Sequence, residues 1–215
     1  MSSQKHGKQI EDMLKALVYS GSADSGRSPT MSGFDIEADF DSVLGIPTSI
    51  KATKKGSPIC LADARAWWKI DTPIRILVAS WTQVDITTKE FYAIHEFIIH
   101  GKMLEDMRGC ITYEDVKEFH NGLSLDVFPY GEHNSARLWA KKQIKNLGKS
   151  SLVTLNPKID YYKQRRLQCT VTIAKITDFV LKYPSLDDNY PNYNLYLESI
   201  GSLLLPQRIR SSPRK

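Results

Sequence analysis

Phe34-Asp35-Ile36-Glu37-Ala38-Asp39-Phe40-Asp41-Ser42-Val43-Leu44-Gly45-Ile46-Pro47-Thr48-Ser49-Ile50-Lys51-Ala52-Thr53-Lys54-Lys55 is the stretch on which the fold turns. Asp35, Glu37, Asp39 and Asp41 crowd four carboxylates into seven residues. Leu44-Gly45-Ile46-Pro47 then breaks the chain. From Thr48 to Thr53 the pattern alternates, which predicts a strand with Ser49, Lys51 and Thr53 on one face and Ile50 and Ala52 on the other. If the two halves pair as a hairpin around Gly45-Ile46-Pro47, Lys51 returns toward the acidic cluster.

Working outward, the 215 residues suffice for one well-buried core, and 41% apolar with 25% charged residues is ordinary for a globular protein. No run approaches the ~18 apolar residues of a membrane span, and the N-terminus lacks an apolar leader core. Cys60, Cys110 and Cys169 lie far apart without metal-ligand spacing, so reduced thiols and a cytoplasmic location are expected. The net charge of +5 is unevenly spread. Between Arg137 and Arg166 the only carboxylate is Asp160, against Arg137, Lys141, Lys142, Lys145, Lys149, Lys158, Lys163, Arg165 and Arg166. An acidic cluster in one half and a basic run in the other is the pattern of a metal site delivered to a polyanion.

Other elements follow from local signals. Residues 3–18 read as a helix with an apolar stripe at Ile10, Met13, Leu14 and Leu17, and the Ser/Gly-rich segment 20–33 as a loop. Asp63 is a cap candidate for a short helix that carries Trp67 or Trp68 into the core. Ile74–Trp81 reads as a central strand. Thr88–Met107, with Phe91, Ile94, Phe97, Ile98 and Met103, reads as a helix packed on the sheet, and Thr112 as the cap of another. Asn121-Gly122 and Pro129-Tyr130-Gly131 mark turns. A basic helix is expected over 134–147 with Leu138, Trp139 and Ile144 buried, then strands at Leu152–Leu155 and Leu167–Ile173. Pro184–Pro191 reads as a tyrosine-rich loop and 206–215 as a basic, disordered tail. The order of elements predicts an α/β domain.

Three pieces of the first half resemble the PD-(D/E)xK nucleases, the restriction-endonuclease-like superfamily. Gly7-x-x-x-Glu11-Asp12-x-Leu14 is similar to the first-helix motif whose glutamate sits near the metal. Ala38-Asp39-Phe40 is similar to the family's Pro-Asp-Phe, and Ser49-Ile50-Lys51 takes the place of the (D/E)xK strand. Ala38 replaces the proline, and Ser49 stands where Asp or Glu is usual. The resemblance spans about residues 5–81 in motif order. It implies a restriction-endonuclease-like core, a central mixed sheet flanked by helices. One nuclease domain would run over 1–205, with a catalytic core about 1–110 and a DNA-contacting part about 120–205.

The chemistry implied is Mg²⁺-dependent hydrolysis of phosphodiester bonds at specific sites in double-stranded DNA, as in a type II restriction endonuclease, with Mn²⁺ as a substitute metal. The site set is Asp39, Lys51, Ser49 and Glu11. Asp39, Asp41 and Glu11 are the candidate metal ligands, and the choice between Asp39 and Asp41 is open. A carboxylate-held metal polarises phosphate and acidifies water, while a lysine positions that water or offsets developing charge. Lys141, Lys142, Lys145, Lys163, Arg165 and Arg166 are the candidate DNA contacts. Double-strand cleavage needs two active sites or two turnovers, which makes a homodimer one expected state. Two alternatives stand beside this reading: a DNA-binding protein with the nuclease fold and a silent site, for which Ser49 is the argument, or a repair or structure-specific nuclease. His133-Asn134 and the pair His95 and His100 lack the partners of a histidine-metal site. The absence of GxxxxGK[ST], GxGxxG and GxSxG removes the common nucleotide and hydrolase readings.

Overall fold

A computed structural model describes residues 34–40, 44–85, 88–147, 151–196 and 201–204. The expected helix 3–18, the loop 20–33, the tail 206–215, and with them Glu11 and Asp41, lie outside the described residues. In chain order the elements are a 3-10 turn at Ala38–Phe40, β1 (Thr48–Lys54), β2 (Ile59–Asp63), α1 (Ala64–Trp68), β3 (Ile74–Gln83) and β4 (Thr88–Ile99). There follow α2 (Lys102–Arg108), α3 (Tyr113–Gly122), α4 (His133–Leu147), β5 (Thr154–Ile159), β6 (Arg165–Val171), α5 (Ile173–Val180), β7 (Tyr193–Tyr196) and β8 (Gly201–Leu204). The architecture is mixed α/β, with a mixed sheet and a second, smaller sheet. The stretch expected as one domain contains two compact units. One collects Met1–Ser57, Ile74–Phe97 and Tyr193–Lys215, and the other Pro58–Pro73 and Ile98–Asn192.

The first unit is built on the sheet β1-β3-β4-β7, with β8 also paired to β4. β1 and β3 run parallel, Thr48 opposite Arg75 through Lys54 opposite Trp81, while β7 and β8 are antiparallel to β4. β3 is the central strand the sequence predicts, buried from Ile74 to Ser80 because it carries apolar residues toward both faces. Ile36, Ile50, Leu77, Ala79, Phe91 and Ile94 form one core cluster with Trp81 against it. Lys89 stands 3.7 Å over the Trp81 ring, and burial lowers its pKa.

The expected helix over Thr88–Met107 is replaced by the twelve-residue strand β4 and the short helix α2. The spacing of Phe91, Ile94, Phe97 and Ile98 imitates a helical stripe. In fact both faces of β4 are covered near its end, where Phe97, Ile98 and Ile99 are all buried, so the period of two is hidden. Gly101, at φ 47°, starts the helix after the strand.

In the second unit, β2-β6-β5 form an antiparallel sheet, and the described helices all belong here. The Asp63 side chain accepts from Arg65 N–H and caps α1, whose Trp67 and Trp68 are both buried; Trp68 Nε1 donates to Ile111 O at 2.8 Å. Thr112 and Asp115 form the capping box of α3. That helix runs through the expected Asn121-Gly122 turn and ends at Gly122, where the Trp139 indole occupies the space a Cβ would need. α4 lies where expected, but Leu138 is 72% exposed, Trp139 and Ile144 are half-buried, and Ala136 and Ala140 face the core. Small residues let the helix approach closely and leave Leu138 on the outer side. β6 ends at Val171, and Thr172 caps α5, an element absent from the sequence reading.

Candidate active site

β1 lies at one end of the sheet order, so the edge away from β3 has backbone groups to satisfy. The acidic segment does this. Ile36 and Thr48 form an antiparallel bridge, with Thr48 N–H donating to Ile36 O at 2.8 Å and both Asp35 N–H and Ile36 N–H donating to Thr48 O. Beyond the bridge the Asp35 side chain takes over from the backbone, and its Oδ2 accepts from Ile50 N–H at 2.5 Å and from Ser49 Oγ at 3.3 Å. Lys51 Nζ lies 3.5 Å from the same oxygen. The two charged side chains are 28% and 24% exposed, a geometry open to a ligand. All three contacts fall on Oδ2; Oδ1 has no hydrogen-bond partner among the described residues.

The anchoring is apolar. Ile36 and Ile50 are buried in the cluster beneath, so the residues flanking Asp35 and Lys51 are fixed from below. The predicted alternation holds through Ser49, Ile50 and Lys51 and then inverts, with Ala52 exposed and Thr53 buried. Thr53 Oγ1 donates to Ser57 O at 3.1 Å, which draws the end of β1 under the following turn.

The structure therefore returns Lys51 to the acidic cluster, but through a longer connection than the expected hairpin at Gly45-Ile46-Pro47. With Ile36 opposite Thr48, an antiparallel register sets Asp35 opposite Ser49. Asp39 instead stands exposed in the 3-10 turn. Asp35 is the residue that sequence reasoning passed over. Its signal was present in the spacing, since a register of this kind selects the first carboxylate of the cluster.

The candidate DNA contacts divide. Lys141, Lys142 and Lys145 are exposed on α4, a helix without an acidic residue; Lys163 is exposed in the turn between β5 and β6, and Arg166 on β6. Arg165 differs from the other candidate contacts. It is buried, and its Nη1 donates to Asp160 O at 2.7 Å and Gln164 O at 3.0 Å while Nη2 donates to Phe128 O at 3.3 Å and Pro129 O at 3.4 Å. Such a guanidinium fastens two loops through their carbonyls, of which Gln164 O and Pro129 O also accept from the backbone N–H groups of Asp160 and Glu132.

Among the described residues no three His, Cys, Asp or Glu side chains gather as a ready-made metal cage. Mg²⁺ asks for less: one or two carboxylates, with water and substrate oxygens completing the shell. Asp35, with its open oxygen beside Lys51, fits that hard-oxygen chemistry. His95 is engaged by Tyr193 and stacked on Phe97, and His100 meets Pro184 O, so neither is a ligand set. Among the described residues no helix is long and apolar enough to cross a membrane. No family model, curated protein or solved structure matches the chain.

Proposed function

We propose that the chain is a magnesium-dependent DNA endonuclease of the PD-(D/E)xK kind, cutting double-stranded DNA at specific sites as a type II restriction enzyme does. The observation that carries this reading is the meeting of Asp35, Ser49 and Lys51 at one edge of the sheet, with the lysine 3.5 Å from the carboxylate. In this reading Asp35 takes the role that the motif assigned to Asp39. Asp35 would hold the metal, with Asp39, Asp41 or Glu11 as the further acidic residues of the set. A bound Mg²⁺ supplies positive charge at the phosphate and lowers the pKa of coordinated water.

The chain's own groups do the rest. The Ser49 hydroxyl and Ile50 N–H hold Oδ2 in place and so orient the carboxylate. Lys51 brings an ammonium to the same point, where it orients an attacking water and offsets charge that grows on the phosphate oxygens. The exposed lysines of α4 provide phosphate contacts, an attraction that is strong at low salt. The basic composition without an ATP-binding motif favours a self-contained enzyme over a motor-driven one.

One observation favours a second reading. Ser49 gives the site a hydroxyl where the motif carries a second acid, and that hydroxyl is engaged with Asp35. A DNA-binding protein whose site no longer cuts would look like this. Digestion of unmethylated plasmid with Mg²⁺ decides between them, beside Lys51→Ala and Asp35→Asn. Discrete fragments lost in both variants establish the specific endonuclease, and a smear lost in both keeps the nuclease without restriction. Intact plasmid across Mg²⁺ and Mn²⁺, with a gel shift retained, selects the silent binding protein.

A further inference from the structure

The β5–β6 turn, Asp160-Tyr161-Tyr162-Lys163-Gln164, presents two tyrosines to solvent on an unusually well-fastened loop. Tyr161 is 55% and Tyr162 59% exposed, although tyrosine rings carry enough apolar surface to favour burial. Nearby in the same unit Tyr130 is 58% exposed, and its loop is joined to the turn by Gly131 N–H donating to Tyr161 O. Tyr161 packs edge-on against both Tyr162 and His133, with centroids 5.1 and 5.4 Å apart. In each pair the edge of one ring meets a face of the other, which braces the rings while more than half of each tyrosine stays exposed.

The turn is fastened by polar contacts, some within it and some to the loop at 128–131. Asp160 Oδ1 accepts from Tyr162 N–H at 2.9 Å and Gln164 N–H at 2.8 Å, so the turn's one carboxylate is occupied by backbone donors. Arg165 ties Asp160 O and Gln164 O to Phe128 O and Pro129 O from beneath. A loop held this firmly needs no ordering when a ligand arrives. Its charge then selects the ligand: Lys163 follows the tyrosines directly, and Arg166 is exposed on the adjoining strand. Braced, largely exposed aromatic rings with cations beside them suit unpaired bases on a phosphate backbone, because every base offers a π-face and the cations hold the phosphates.

We infer that Tyr161 and Tyr162, with Lys163 and Arg166, form a stacking site for single-stranded nucleic acid. Arg165 is its positioning residue. This inference is independent of the nuclease reading, since the turn belongs to the unit that lacks Asp35 and Lys51, and stacking requires neither metal nor cleavage.

The test is fluorescence anisotropy with a labelled oligothymidine in EDTA, where no divalent cation supports cutting. The wild-type chain should bind it. Tyr161→Ala and Tyr162→Ala should each weaken binding about tenfold, and the two Tyr→Phe variants should bind as wild type because stacking needs the ring and not the hydroxyl. Lys163→Ala should weaken binding and flatten its salt dependence. Equal binding by the alanine variants, loss in the phenylalanine variants, or no binding by the wild type would overturn the inference. So would preferential displacement by duplex or by a peptide pool. Photocrosslinking of an iodouracil strand to the unmodified protein gives an answer that no variant's folding can disturb: adducts should map to residues 160–166, and adducts confined elsewhere refute the site. Failure here leaves plasmid cleavage untouched, and failure of cleavage leaves this binding untouched.

Discussion

Arg75 Nε stands 3.0 Å from Glu96 Oε1, and both side chains are 2% exposed. Glu96 Oε2 also accepts from Asn194 Nδ2 at 3.0 Å and Tyr196 OH at 2.8 Å, so one buried carboxylate links β3, β4 and β7. Removing the cation alone should be severe. Arg75→Ala is expected to cost about 3–5 kcal/mol, because it strands a charge in the core of the sheet. The double variant Arg75→Met with Glu96→Leu should recover most of that loss, since Asn194 and Tyr196 can reach water. Urea unfolding of the three proteins checks both statements.

Lys51 and Asp35 should separate stability from chemistry. Lys51→Ala removes a partly exposed ion pair and should change unfolding free energy by no more than about 1 kcal/mol. Asp35→Asn retains an acceptor for Ile50 N–H and should be similarly mild, whereas Asp35→Ala leaves that donor unmatched and should cost about 1–3 kcal/mol. If the site cuts DNA, Lys51→Ala and Asp35→Asn should nonetheless each lower the cleavage rate at least about 100-fold. Denaturation curves run beside plasmid digestion distinguish the two effects.

The basic surface divides into contacts and structure. Replacing Lys141, Lys142 and Lys145 together with alanine should reduce the slope of log affinity for duplex DNA against log salt by up to about three, nearly one per phosphate neutralised. Arg165→Ala should leave that slope unchanged and lower stability by about 3 kcal/mol, since it unties four backbone carbonyls. Salt titration of a gel shift, paired with thermal melting, reads both.

Stability should decline below neutral pH through His95. Burial lowers its pKa below the ordinary 6.5, so the folded state prefers the neutral ring that meets Tyr193 OH at 3.1 Å. The unfolded chain binds the proton first as pH falls. The contribution is therefore complete above 6.5 and is lost as pH drops through the lower, folded-state value. His120, whose pKa burial also lowers, acts in the same direction in the second unit. His95→Gln should flatten the dependence of melting temperature between pH 7 and 5.5, to about the extent that His95 contributes.

Local chemistry was the most legible part of this sequence. The caps at Asp63 and Thr112 need only residues within three positions, and both formed. β3 was readable because seven consecutive buried residues leave no polar face to hide. β4 was not, because burial on both sides erased the alternation that marks a strand. Thr172 ends one element and starts the next, so α5 was absorbed into the strand before it. For the candidate site, the pairing of strand and acidic segment was legible but its register was not. A turn placed at Gly45 points to Asp39 or Asp41, and the observed bridge at Ile36 selects Asp35. Arg165 shows the same limit: a charge run does not reveal which of its members has been drawn inside to satisfy carbonyls.

The division of the first unit into three separate segments has a consequence for how the protein is made. β4 emerges from the ribosome long before β7 and β8, the strands that cover its outer edge. Phe97 must wait for Tyr193, and Phe91 for Gly201, while the whole of the second unit is synthesised in between. For that interval the nascent chain carries an apolar strand with one row of unpaired backbone groups, the form most open to wrong partners. The sheet that holds Asp35 and Lys51 can therefore be completed only after the whole of the second unit has been synthesised.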